Sequence, residues 1–273
     1  MSTSSTSGSD RLGQSLVGRR ALVSGSTQGI GRAIAIALAS AGATVDLLAR
    51  NDQGLAKVLG ELPTPNGQKH GTLVADFSDW KSLPPLMAQY LSKAGAVHIL
   101  VNNTGGPAAG AAIDARPEDY VAAMSMHLAS FQALAQACVP GMRDAGYGRI
   151  INITSTSVVT PIKGLGVSNT VRAAVANWTR TLASELGRFG ITVNNILPGF
   201  TKTARLEALF KGKATRAGCT VEEVQNDAVA TIPAGRLGAP EEIAAVAAFL
   251  ASPAASYVNG VNLPVDGGRL AAQ

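Results

Sequence analysis

Arg20-Ala-Leu-Val-Ser-Gly-Ser-Thr-Gln-Gly-Ile-Gly-Arg-Ala-Ile34 is the stretch that decides how this chain reads. A short apolar run, Ala21 to Val23, leads into Gly25, Gly29 and Gly31. Ile34, Ile36 and Leu38 then recur among alanines until Gly42. The pattern predicts a strand, a glycine turn and a helix. Glycines let the backbone come close to a pyrophosphate. The first turn of a helix adds unpaired N–H groups at the positive end of its dipole. The spacing, Gly-xxx-Gly-x-Gly, differs from the common dinucleotide fingerprint. Alone it suits a plain turn as well as a ligand site; the flanking strand and helix favour a cofactor.

Moving outward, 273 residues with 46% hydrophobic content are enough for one substantial core. No apolar run approaches the ~20 residues that span a bilayer, so no membrane partner is expected. Residues 1–15 read as a disordered leader; their Ser/Thr/Gly-rich start lacks the apolar stretch of a signal peptide. Residues 16–273 read as one domain. Cys138 and Cys219 are the only cysteines and read as reduced thiols of a cytoplasmic protein. The net charge of +5 is scattered and aromatics are few, which argues against nucleic acid as a partner. No His/Cys/Asp/Glu spacing suggests a metal.

Strands and helices alternate along the rest of the chain. Strands are expected at 20–24, 44–49, 71–75, 97–101, 149–153, 191–196 and 258–265. Helices are expected at 52–62, at 79–93 with a kink or late start at Pro84-Pro85, at 117–143, at 167–188 and at 240–251. Residues 203–231 read as a less regular, more polar lid. Short strands with helical crossovers imply an α/β fold: a Rossmann-like, doubly wound parallel sheet with helices on both faces. Polar, glycine-bearing stretches follow the strands at 24–31, 76, 102–106, 154–157 and 198–203. Those are the carboxyl ends, where such sheets bind ligands.

Five stretches resemble motifs of the short-chain dehydrogenase/reductases, in particular the 3-oxoacyl-(acyl-carrier-protein) reductase-like members. Ser24-Gly-Ser-Thr-Gln-Gly-Ile-Gly31 is similar to the family's TGxxxGIG turn, and Asn102-Asn-Thr-Gly105 to its NNAG. Gly148-Arg-Ile-Ile-Asn-Ile-Thr-Ser155 resembles the strand that carries the active-site serine. Pro198-Gly-Phe-Thr-Lys-Thr203 resembles the PG loop, and Asp266-Gly-Gly268 the usual end. The resemblance implies an oxidoreductase acting on a small molecule with a carbonyl or hydroxyl. It also implies a homodimer or homotetramer, joined through the helices at 117–143 and 167–188.

The resemblance places the cofactor on Gly25, Thr27, Gln28, Gly29, Ile30 and Gly31. It places adenine at Asp76 and Phe77, ribose at Asn103, and the nicotinamide carboxamide at Gly199, Thr201 and Thr203. At the end of the second strand an acid would bond the ribose hydroxyls of NAD(H), whereas a base favours the 2′-phosphate. Here Ala49 is followed by Arg50, whose guanidinium forks onto phosphate, so NADP(H) is expected over NAD(H). Arg50 is also compatible with an ordinary exposed arginine, Asp76 with a helix cap, and Asn103 with a turn residue.

At the catalytic positions the pattern breaks. The family uses a tyrosine and a lysine, YxxxK, with a serine and an asparagine. With the helix registered on Ala173-Ala-Val-Ala-Asn-Trp-Thr-Arg180, Ser168 stands at the tyrosine place and Arg172 at the lysine place. Ser155 retains the serine, and His127 takes the asparagine place. No other register restores the pair, because the residues four after Tyr90, Tyr120, Tyr147 and Tyr257 are Ala94, Met124, Ile151 and Val261. Arg172 stays cationic and can bind ribose hydroxyls, but it does not shuttle a proton. His127 is the one replacement that titrates near neutrality, and it is a candidate acid/base through a water. The alternative is a helix histidine bonded to a backbone carbonyl, its charge disfavoured by Arg172. For the chain as a whole, the alternative to an enzyme is a catalytically silent cofactor-binding homologue.

Overall fold

The computed structural model describes residues 15–272. The expected leader falls outside them except for its last residue. The elements run β1 (Arg20–Ser24), α1 (Gly29–Ser40), β2 (Thr44–Ala49), α2 (Asp52–Leu59), β3 (Gly71–Val74), α3 (Leu83–Ala94) and β4 (Ile99–Asn102). They continue through α4 (Pro117–Met124), α5 (Ser130–Asp144), β5 (Gly148–Ile153), α6 (Gly166–Leu186) and β6 (Ile191–Pro198). The chain closes with α7 (Ala204–Ala217), α8 (Val221–Ala230), α9 (Pro240–Ala251) and β7 (Asn262–Val265).

The strands form one sheet in the order β3-β2-β1-β4-β5-β6-β7, and every pairing is parallel. The order reverses between β1 and β4. The loops leaving these two strands part there and open a crevice at the carboxyl edge.

Alternate residues of each strand feed two cores. Ala21 and Val23 of β1 point with Val45, Leu47, Ile99 and Val101 toward Ile34 and Leu38 of α1 and Ile243 and Leu250 of α9. Leu22 points the other way, with Leu48, Leu100 and Ile150, toward Met87, Phe131 and Val175. Strands buried on both faces explain the unbroken apolar runs in the sequence.

One expectation, a kink or late start at Pro84-Pro85, is resolved, and two are adjusted. The helix expected to begin at 79 starts late, at Leu83, after a 3-10 turn Phe77–Ser82 that Asp76 caps by accepting the Ser78 N–H at 2.9 Å. The cap at this point is therefore Asp76, and its carboxylate is held by the turn it starts. The long helix at 117–143 contains a wider π turn, Ser125–Ala129, where the Ser130 N–H reaches back to the Ser125 carbonyl. The segment at 203–231, read as irregular, is two helices. Thr203 caps α7 by accepting the Leu206 N–H at 3.2 Å, and Thr220 and Glu223 form a reciprocal capping box on α8. Leu206, Phe210, Val224, Ile232 and Leu237 form a core of their own. With so many exposed polar positions around that narrow stripe, the helical period is faint in the sequence.

Candidate active site

The crevice holds two adjoining cavities. The outer one, of about 520 Å³, has Gly25, Thr27, Gln28, Gly29, Ile30 and Arg50 among its lining, with Asp76, Phe77, Asn103 and Thr203 also on its walls. The inner one, of about 180 Å³, is lined by Ser155, Ser168, Arg172, Gly199, Thr201 and Thr203. Ile30, Asn103, Thr104, Thr203 and Arg205 border both.

The turn after β1 is built for close approach. Gly25 and Gly29 adopt positive φ of 60° and 54°, a region costly for other residues. A Cβ on Gly29 would stand 3.2 Å from the Thr203 methyl across the crevice. Gln28 at the start of α1 makes no side-chain cap, and the first turn carries no acid. The leading N–H groups of α1 thus keep their capacity for an anion. Gly31 does not line the cavity; it lies behind the turn, where a Cβ would collide with the Gly25 carbonyl. Asn103 Nδ2 braces the turn from β4 by donating to the Ser24 and Gly25 carbonyls at 3.2 and 3.1 Å. The residues therefore fit a dinucleotide pyrophosphate.

Arg50 is exposed at the outer rim, beyond the end of β2. The carboxyl of Asp76 is held below the usual carboxylate range, chiefly by the Ser78 N–H, with the charge of Arg50 adding to the effect.

The inner cavity rests on α6, which is fastened to the sheet by a buried amide ladder. Asn102 Nδ2 donates to Asn152 Oδ1 at 2.8 Å, and Asn152 Nδ2 donates to the Thr179 hydroxyl at 2.8 Å. That hydroxyl also lies 2.8 Å from Asn195 Oδ1, and Asn195 Nδ2 donates to Asn262 Oδ1 at 2.7 Å. Such a chain fixes the register of α6, because each buried polar group it leaves unpaired costs free energy. Two turns toward the helix start, Arg172 Nη1 donates to the Ile153 and Thr154 carbonyls at 3.2 and 2.8 Å, and its Nε donates to Ser168 Oγ at 3.2 Å. Ser155 Oγ accepts the Ser157 N–H at 3.0 Å. Both serines keep their own O–H free to donate into the cavity. Burial, aided by the charge of Arg205, draws the Arg172 pKa down to about 10. The guanidinium remains protonated at neutral pH.

His127 lies in the π turn and lines neither cavity. It is 2% exposed. Its Nδ1 stands 3.0 Å from the Ala123 carbonyl, so Nδ1 carries the proton and Nε2, buried without a partner, is bare. Burial first, and then Arg172, draws its pKa down to about 4. These are the surroundings of the backbone-bonded alternative. No tyrosine or lysine lines either cavity. Tyr90 bonds Asp46, Tyr120 bonds the Ala112 carbonyl, Tyr147 bonds the Ala251 carbonyl, and Tyr257 is fully exposed.

The sequence reading missed Arg205. Its Nη1 and Nη2 donate to the Gly106 and Pro107 carbonyls at 2.9 and 3.1 Å, across the mouth between the cavities. A cation in the first turn of a helix, at the positive dipole end, was the available signal. Among the described residues no group of His, Cys, Asp and Glu could hold a metal, and no helix is long and apolar enough to cross a membrane.

A family model described as enoyl-(acyl carrier protein) reductase matches residues 25–269. The chain is 36% identical over 251 residues to the 3-oxoacyl-[acyl-carrier-protein] reductase FabG of Haemophilus influenzae, covering 92% of this chain and 98% of that one. It is 37% identical over 257 residues to the FabG of Pseudomonas aeruginosa, covering 93% and 98%. Among solved structures, L-sorbose reductase from Gluconobacter frateurii complexed with NADPH and L-sorbose superimposes with a TM-score of 0.88 at 30% identity, over 94% of this chain and 98% of that one. With the sheet order, the glycine turn and this extent of similarity, the chain belongs to the short-chain dehydrogenase/reductase family.

Proposed function

We propose that the chain is an NADP(H)-binding oxidoreductase that interconverts a carbonyl and an alcohol, with a proton-transfer apparatus other than the family's tyrosine and lysine. One observation carries this reading. The cofactor turn is complete, while the adjoining cavity presents Ser155, Ser168 and Arg172 and no tyrosine or lysine. The NADPH bound by the L-sorbose reductase relative supports the choice of cofactor.

Bound in the outer cavity, the nicotinamide cofactor would supply or accept a hydride. The first turn of α1 and Gly25 would hold its pyrophosphate, and Arg50 its 2′-phosphate. Asp76 and Phe77 would border adenine, Asn103 and Arg172 the ribose, and Gly199, Thr201 and Thr203 the carboxamide. In the inner cavity the Ser155 and Ser168 hydroxyls donate to the substrate oxygen. Arg172, fixed behind Ser168, keeps a positive charge beside that oxygen as negative charge develops on it. No lining side chain there titrates near neutrality, so the proton comes from water. His127, with its pKa near 4, stays neutral in this reading and acts by packing. The faces of α4, α5 and α6, at 117–143 and 167–188, would join copies of the chain into a dimer or tetramer; Val121 on α4 is 67% exposed.

The same lack of a titrating side chain favours a second reading, a catalytically silent cofactor-binding homologue. NADPH titration followed by protein fluorescence, and then nicotinamide absorbance against a carbonyl panel, separates the two. Binding with turnover supports the enzyme, and binding without turnover supports the silent homologue. Absence of binding removes both.

A further inference from the structure

We propose that Arg172 and Arg205 together form a carboxylate seat, and that the substrate is therefore a short oxo or hydroxy acid rather than a neutral ketone or alcohol. The inference rests on the cofactor and oxygen-binding roles proposed above.

The two side chains come from α6 and the start of α7, and they converge on Gly106. A Cβ at Gly106 would clash with the Arg205 guanidinium and stand 3.2 Å from Arg172 Nη2. The space this glycine leaves open is what lets the two charges meet. Neither arginine has a carboxylate within ion-pair distance among the described residues. Among the described residues no acid lines the inner cavity, and the only acid on the outer one, Asp76, is held by Ser78. Two partly buried like charges in this arrangement repel each other and are incompletely solvated, and an anion relieves both costs.

The donors left over match one. Arg172 spends Nε on Ser168 and Nη1 on two carbonyls, which leaves both hydrogens of Nη2. Arg205 spends one hydrogen from each Nη on Gly106 and Pro107, which leaves Nε and one hydrogen on each Nη. Arg172 Nη2 has donors enough for a ribose hydroxyl and one carboxylate oxygen, and Arg205 takes the other. The positive end of α7 adds to the same field. The seat borders the cavity where Ser155 and Ser168 await a carbonyl oxygen, so the two functional groups of the ligand are close along its chain. The inner cavity, about 180 Å³ against about 520 Å³ for the outer one, is the smaller of the two, which suits a small acid.

The test uses NADPH, NADP+, 2-oxobutanoate and 3-oxobutanoate, and the methyl esters of both acids. The full chain is first titrated with NADPH; failure to bind overturns the cofactor reading itself. With NADP+ saturating, which transfers no hydride to an oxo acid, calorimetry should show one of the acids binding about tenfold or more tighter than its ester. Arg205→Gln and Arg172→Gln should each abolish that difference, and Arg205→Gln should leave the NADPH affinity within about twofold. Equal affinity for acid and ester, or no binding of either, overturns the seat while the cofactor reading stands. So does an Arg205→Gln chain that loses NADPH about tenfold yet still discriminates acid from ester, since the arginines then serve a cofactor phosphate. If the variants do not fold, the acid and ester comparison on the unaltered chain decides.

Discussion

Arg172 Nε donates to Ser168 Oγ at 3.2 Å, one helical turn back along α6, so the cation polarises a hydroxyl that projects into the inner cavity. The pair has the i, i+4 geometry that a tyrosine and lysine would need, and the amide ladder through Thr179 fixes it. Replacing both residues, Ser168→Tyr with Arg172→Lys, is expected to raise NADPH-dependent carbonyl reduction about a hundredfold, the contribution of a positioned general acid. Steady-state rates on a carbonyl panel, with NADPH affinity measured beside them, check this. An unchanged rate with intact binding would show that the proton donor does not limit this protein.

Arg50 should set the cofactor preference. Arg50→Glu replaces a phosphate-binding fork with a charge that repels phosphate. NADPH affinity is expected to fall at least about tenfold while NADH affinity holds or rises. Fluorescence titration with both cofactors reads the ratio, and an unmoved ratio would return Arg50 to the status of an ordinary surface arginine.

Gly31 is held small by the Gly25 carbonyl behind the turn. Gly31→Ala should cost about 2–3 kcal/mol of stability, as overpacking against backbone does. Gly18→Ala, at a positive φ of 76° with open space around the position, should cost only about 1 kcal/mol. Urea midpoints for the two variants check the order.

His127 should make the fold acid-sensitive. Its folded pKa, about 4, lies below the ordinary 6.5. As pH falls through 6.5 the unfolded chain takes up a proton that the buried imidazole does not, so stability rises with pH across that window and is lost on acidification. By pH 5 this one group accounts for roughly 2 kcal/mol. His127→Asn should remove that share of the difference between urea midpoints at pH 7.5 and pH 5. An equal acid sensitivity in the variant would place the titrating group elsewhere.

The glycine turn, the order of strands and helices, and half of the outer-cavity residues were legible in the chain because they depend on local patterns. The helical lid and the place of Gly31 behind the turn were not, and the choice between cap and adenine contact at Asp76 stayed open, because each depends on which neighbour a side chain or backbone group meets. Arg205 escaped notice for the same reason: its partners, Gly106 and Pro107, are about a hundred residues earlier.

By itself the sequence determined the fold class, since alternating apolar runs and glycine punctuation leave few other ways to bury two faces of a parallel sheet. It also determined which residue types face the crevice at each strand end, because those positions follow from the connectivity. Only the tertiary structure decided that His127 is withdrawn and neutral at neutral pH, that Ser168 and Arg172 are bonded to each other, and that Arg172 meets Arg205 over Gly106. Charge, burial and hydrogen-bond capacity are set by what surrounds a group in space, and in this fold those surroundings come from segments far apart in the chain.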